Sequence, residues 1–288
     1  MPTNNSLRGP ILLITDLSPR CDRAMDRAAA LSSALNLPLI ALHVMDTPWL
    51  TRLTQPAWES LQQQNIDIAN RRLRHELAPA GIELTVLVEA GNPVEVIEQV
   101  SRANQCSLIV SGTARDETLG RIVLGNTVER LSRRTSVPLL VVRARPIKPY
   151  SKVMVATDFS SGASQALVTT KALCPEAQMT IYHAFDQVAG IYELDAPTIK
   201  EQIQTLRNKA KAFAHSSLAS DSLDLPVVVE HGEAEQCLPA YVDRHDTELV
   251  AMGTHGATGL VHTAMGSVAE KLLARLRCDV LIVPQLKR

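Results

Sequence analysis

The 288 residues carry 29 lysines and arginines against 30 aspartates and glutamates, with 45% hydrophobic and only 3% aromatic side chains. Balanced charge offers no field for nucleic acid or an anionic membrane, and so few aromatics leave little for base stacking. A length beyond the roughly 100–200 residues of one domain, with this apolar content, predicts two globular domains.

The opening stretch MPTNNSLRGP lacks the basic start and apolar core of a secretory signal. No apolar run approaches the roughly 20 residues that span a bilayer, so a cytoplasmic protein without a membrane partner is expected. Cys21, Cys106, Cys174, Cys237 and Cys278 are widely spread with no Cys-x-x-Cys pair, which reads as reduced, mostly buried thiols.

The first apolar run predicts a strand over 11–15, followed by Thr15-Asp16-Leu17-Ser18 and a helix over 20–35 for which Ser18 is a candidate cap. Residues around Trp49, Trp58 and Gln62-Gln63-Gln64 read as a mobile loop entering the second helix. Further strands are predicted at 38–44, 83–88, 107–111 and 138–142. Arg130, Arg133, Arg134, Arg143 and Arg145 read as a solvated basic face. At Arg145-Pro146-Ile147-Lys148-Pro149 the apolar pattern breaks, and then it begins again. Val153 to Ser160 repeats Ile11 to Ser18, and strands are predicted at 152–156, 179–184, 226–230, 248–252 and 279–283, with a helix over 163–173 that Ser160 can cap. Strand runs alternating with helical patterns predict two tandem doubly wound α/β domains, 1–148 and 149–288, each a five-stranded parallel sheet between helices.

Open parallel sheets bind ligands beyond the carboxyl ends of their strands. Thr157-Asp158, His183-Ala184 and the loop after 248–252 meet there. That loop is Gly253-Thr254-His255-Gly256, nine residues, then Gly266-Ser267 before a helical pattern. Glycines allow close backbone approach and a helix start favours an anion, while the same spacing also serves plain turns and a helix cap. The frame recurs 141 positions earlier as Gly112, Thr113, Ala114, Arg115, Gly125 and Asn126, with the second glycine and the serine replaced. There is no Gly-x-x-x-x-Gly-Lys-Ser/Thr loop, no Gly-x-Gly-x-x-Gly after a first strand, and no Gly-x-Ser-x-Gly elbow. His183, His231, His255 and His262 lack compact ligand spacing, so no metal site is assigned.

The strand-Thr-Asp-x-Ser start, the Gly-x2-Gly-x9-Gly-Ser loop and the ending Cys278-Asp279-Val280-Leu281-Ile282-Val283 resemble the universal stress protein family in its tandem form, over essentially the whole chain. The resemblance implies an ATP-binding second half, with or without Mg2+. It sets Thr157 and Asp158 at the adenosine end and the Ala184 backbone at adenine. Met252, Gly253, Thr254, His255 and Gly256 line ribose and phosphates, and Gly266, Ser267 and Val268 hold the phosphates. In the first half Arg115 and Asn126 depart from the pattern, so weakened or lost ATP binding is expected there. Family pairing implies that the two halves pack together and leaves a homodimer open. A regulatory binding protein is expected, with little or no ATP turnover, because no P-loop lysine, base or arginine finger accompanies the loop. The alternative is a nucleotide-free interaction module built from two degenerate domains.

Overall fold

In this computed structural model residues 7–45, 58–115, 122–123, 125–186, 196–219, 224–254 and 265–285 are described. The chain divides into one compact unit of residues 7–131 and 137–147, and another that holds 148–288 together with 132–136.

The first unit runs β1 (Ile11–Thr15), α1 (Asp22–Leu35), β2 (Leu39–Met45), α2 (Trp58–Leu77), β3 (Leu84–Ala90), α3 (Pro93–Ala103), β4 (Leu108–Ser111), β5 (Ala114–Arg115), β6 (Ile122–Val123), α4 (Asn126–Arg134, of which this unit holds the residues up to Leu131) and β7 (Leu139–Val141). Its parallel strands lie in the order β7-β4-β1-β2-β3, with Ile11 opposite both Leu39 and Leu108. Ile11, Leu12 and Leu13 point alternately to both faces, yet all are 0% exposed. Each such side chain contributes about 1.5–3 kcal/mol on burial, which only helices on both faces allow.

The second unit runs β8 (Lys152–Ala156), α5 (Ser161–Leu173), β9 (Gln178–Phe185), α6 (Ala196–Leu218), β10 (Val227–His231), α7 (Ala234–His245), β11 (Leu249–Gly253), α8 (Ser267–Arg275) and β12 (Asp279–Val283). Its parallel strands take the matching order β10-β9-β8-β11-β12. In each unit the first strand lies between the second and the fourth, so the switch in strand order falls beside β1 and beside β8.

Three expectations change. Trp58 and Gln62–Gln64 belong to helix α2 rather than to a loop, and Trp49 lies outside the described residues. Ser18 makes no side-chain cap, because Pro19 opens a 3-10 turn (Pro19–Cys21) that carries the chain into α1. Arg143 is buried, so the basic face does not extend to it. Cys21, Cys106, Cys174 and Cys278 are buried free thiols, and Cys237 is half-buried.

Candidate functional site

The Thr-Asp-x-Ser segment folds on its own oxygens. In the second unit the Thr157 amide donates to the Tyr182 carbonyl at 2.9 Å. The Phe159 amide donates to Thr157 Oγ1 at 2.9 Å, and the Ser160 amide to Asp158 Oδ1 at 3.0 Å. Ser160 Oγ in turn accepts from the Ala163 amide at 3.2 Å, which caps α5. The first unit repeats the turn, with Leu17 to Thr15 Oγ1 at 3.0 Å and Ser18 to Asp16 Oδ1 at 2.8 Å. Leu17 and Phe159 sit at φ 61° and 66°, a conformation that ordinary side chains resist. Amides consumed in this way leave the turn facing the strand ends mainly with oxygens.

A histidine on the second strand of each unit latches the turn. His183 Nδ1 lies 2.7 Å from the Thr157 carbonyl, and His43 Nδ1 lies 2.9 Å from that of Thr15. A carbonyl only accepts, so Nδ1 carries the proton in both rings. Burial, reinforced by Lys209, pulls the His183 pKa down despite the Thr157 bond and the Asp158 charge. The Phe159 ring stands 4.4 Å from His183 and 5.9 Å from Phe213, with Lys209 Nζ 4.4 Å above it.

The glycine loop has a structural task as well as a chemical one. A Cβ on Gly253 would stand 2.7 Å from the Gly162 carbonyl carbon and 3.1 Å from the Ala163 amide, so β11 meets the start of α5 only through a glycine. On Gly112 a Cβ would come within 3.1 Å of the Arg20 carbonyl. Thr254 is buried; its amide donates to Val283 at 3.1 Å and its carbonyl accepts from Gly266 at 2.8 Å, so the two ends of the loop are tied together. His255 and Gly256 lie outside the described residues.

Gly266 is the N-cap of α8 and makes no side-chain cap bond. Ser267 and Val268 are exposed, Val268 by 44%. Among the described residues nothing accepts a hydrogen bond from their amides. The Met252 side chain is in the core, which leaves only its backbone to face the strand end. Ala184 is half-buried beside Glu230 of β10. Thr157, Asp158, Ala184, Met252, Gly253, Thr254, Gly266, Ser267 and Val268 thus fall at the carboxyl ends of β8, β9 and β11 and at the start of α8.

In the first unit the corresponding crevice is a cavity of about 200 Å³ whose walls include Ile14, Asp16, Arg20, Cys21, Ile97 and Thr113. The backbone of Arg115 pairs with Ile122 in the two-strand ladder β5-β6, and Asn126 opens α4. Cys21 Sγ donates to Asp16 Oδ1 at 3.2 Å. Burial pushes the Cys21 thiol up to about 11 and keeps it protonated. Burial also opposes ionisation of Asp16, but bonds from Ser18 and Cys21 and the charge of Arg20 outweigh it and hold the carboxyl below its usual range.

The sequence marks His183 only as one of four histidines without ligand spacing and gives His43 no role. The available signal was that both predicted second strands carry a histidine near their ends. No three His, Cys, Asp or Glu side chains converge as metal ligands among the described residues, and no described helix is long and apolar enough to cross a membrane.

Comparison with known proteins accounts for the duplicated plan. The universal stress protein family model matches residues 8–143 and again 149–284. A universal stress protein of Mycolicibacterium smegmatis is 24% identical over 287 residues, covering 95% of this chain and 96% of the relative. Universal stress protein E of Escherichia coli K12 is 23% identical over 294 residues, covering 95% and 93%. Among solved structures, a universal stress protein from Archaeoglobus fulgidus has a TM-score of 0.72 at 19% identity over 96% of this chain and 98% of its own. A putative universal stress protein from Pseudomonas aeruginosa scores 0.67 at 18% identity, covering 96% and 93%. Two successive matches that fill most of the chain establish that it belongs to the universal stress protein family, as two domains in tandem.

Proposed function

We propose that the second unit binds ATP and that the protein is a stress-response regulator that holds nucleotide rather than spending it. The observation that carries this is a contrast between two helix starts. Helix α5 is closed by Ser160, whereas α8 opens without a side-chain cap, with Ser267 exposed beside it. An uncapped helix start contributes about 0.3–1 kcal/mol to holding an anion, rising to about 2 where partly buried. Ser267, Val268 and Gly266 take the phosphates, with Mg2+ as counter-ion when present. Thr157, Asp158 and the Ala184 backbone take adenosine, and Met252, Gly253, Thr254, His255 and Gly256 line the path between. The domain boundary is taken at Lys148, the protein is assigned to the cytoplasm, and the first unit is assigned no ATP.

A nucleotide-free interaction module is the second reading, favoured by the fact that packing against Gly162 alone accounts for Gly253. Mass spectrometry of gently denatured, freshly purified protein separates the two by counting nucleotide per chain, with titration calorimetry in parallel. One ATP per chain is expected, with a three- to tenfold weaker Kd in Ser267→Ala, about 0.7–1.4 kcal/mol. Neither extractable nucleotide nor calorimetric binding would leave the module reading. Gly253 is the wrong place to test the site, because any Cβ there disturbs the fold.

A further inference from the structure

We propose that the outer edge of β10 is a docking site for an extended peptide segment that carries an acidic side chain and adds to the sheet as a further strand. β10 stands at the end of the strand order, paired with β9 on one side. The Pro226 carbonyl accepts from the Ile181 amide at 2.9 Å, and the Gly232 amide donates to the Phe185 carbonyl at 2.8 Å. Backbone groups alternate in direction along a strand, so those of 226, 228, 230 and 232 face β9. Val227, Val229 and His231 therefore turn their amides and carbonyls outward. Among the described residues the Val227 and Val229 groups have no hydrogen-bond partner, and the His231 carbonyl meets only the Cys237 thiol at 3.9 Å. Such a row is a template for another strand, which lysines, prolines or bulges on an edge would blunt. β10 reads VVVEH, and the missing N–H of Pro226 falls on the β9 side, so the outer row is intact.

A groove beside the start of β10 selects the side chain. It holds about 380 Å³, within the roughly 300–1,000 Å³ of ligand pockets. Its described wall includes Gln204, Arg207, Asn208 and Lys211 of α6 with Asp224 and Val227. Lys211 Nζ is paired with Asp224 Oδ1 at 3.1 Å, and Gln204 Nε2 donates to Asn208 Oδ1 at 3.1 Å. The Arg207 guanidinium and Asn208 Nδ2 have no acceptor among the described residues. A carboxylate set against them gains charge-assisted hydrogen bonds.

Antiparallel pairing is the more stable per residue. In a strand added that way, the residue opposite Val227 carries its side chain on the same face as Val227 and enters the groove. Main-chain bonds then supply affinity, and the groove supplies the preference for an acid. This site lies at the amino end of β10, away from the strand ends assigned to nucleotide, and goes beyond that assignment.

The probe is the peptide acetyl-Thr-Val-Thr-Val-Thr-Glu-amide, titrated into methyl-labelled full-length protein beside the same peptide ending in Gln. The Glu peptide is expected to shift the Val227 and Val229 methyl signals and to bind roughly fivefold or more tightly than the Gln peptide. Arg207→Gln is expected to erase that preference. N-methylation of both peptide valines removes the N–H groups that face β10 and is expected to abolish binding, whereas N-methylation of the last two threonines, which face away, leaves it. These peptide variants keep the backbone claim testable if Arg207→Gln folds poorly. Absence of shifts, equal affinity of the Glu and Gln peptides, or full affinity of the valine-methylated peptide would overturn the site. Equal shifts at Val86 and Val88 of β3, the edge strand of the first unit, would overturn the role of the groove. A dimer in sedimentation that the peptide dissociates would give the β10 edge to a second copy of this chain and overturn the peptide assignment. Counting nucleotide per chain reads the ATP assignment separately, so either can fail alone.

Discussion

Gly253 separates two reasons for a glycine. A methyl group there meets Gly162 backbone at 2.7 Å, and backbone cannot swing aside as a side chain can. Gly253→Ala is expected to destabilise the protein by about 1–3 kcal/mol in urea unfolding, whereas the exposed Ser267→Ala stays within about 0.5 kcal/mol. His183 makes a prediction with a sign. Its pKa is lowered by burial in the folded state, so the folded protein favours the neutral ring. The unfolded imidazole takes up its proton near pH 6.5. The stability that depends on the neutral ring is therefore complete above that pH, and it is lost as pH falls below it towards the folded pKa. Urea midpoints measured at pH 7.5 and 5.5 are expected to separate more in the parent than in His183→Gln; equal separations would contradict the linkage.

Among elements, α7 shows how a sequence fault is made good by a neighbour. Pro239 stands inside the helix and cannot donate to the carbonyl four residues back, that of Glu235. Arg275 of α8 donates to that carbonyl at 3.1 Å, and Lys271 reaches the Glu235 carboxylate at 2.9 Å and holds its pKa below the ordinary value. Pro239→Ala restores the helical donor and is expected to raise stability. In that background Arg275→Ala should cost measurably less than in the parent, a coupling that a double-mutant cycle detects. Helix starts give a second comparison. Asn92 Oδ1 accepts from the amides of Val94 and Glu95, while Glu233, at the same place in the second unit, makes no cap bond. Asn92→Ala is expected to lose about 1 kcal/mol and Glu233→Asn to gain part of that, read as melting temperature shifts.

For the whole molecule, the plan was legible because every central strand is buried on both faces. Ile11-Leu12-Leu13-Ile14 and Leu249-Val250-Ala251-Met252 are unbroken apolar runs for that reason. The site was legible in part. Thr157 and Asp158 announce a turn whose bonding follows from residue type, and Gly266-Ser267 announces a helix start. The His43 and His183 latches were obscured because a histidine at a strand end satisfies several roles, and its partner is a carbonyl, which sequence does not mark. The β5-β6 ladder was missed because two-residue strands leave no period to read. Bound ATP at about one hundred times its Kd would stabilise the site by about 2.7 kcal/mol. Hydrogen exchange is expected to slow at residues 157–160 and 267–270 and to stay unchanged at 15–18; equal slowing in both turns would contradict a single nucleotide site.

The self-bonded turn has a consequence for direction. Its amides are spent on Thr157 Oγ1 and Asp158 Oδ1, so that edge of the second unit carries negative character. The start of α8 keeps amides turned outward and carries positive character. An elongated ligand with one anionic end therefore has a single orientation that satisfies both edges. Turned end for end, it would set its anion against the Asp158 carboxylate and leave the helix start unanswered. For a ligand of that kind, orientation at the strand ends would be set by two short turns, one rich in oxygens and the other in amides.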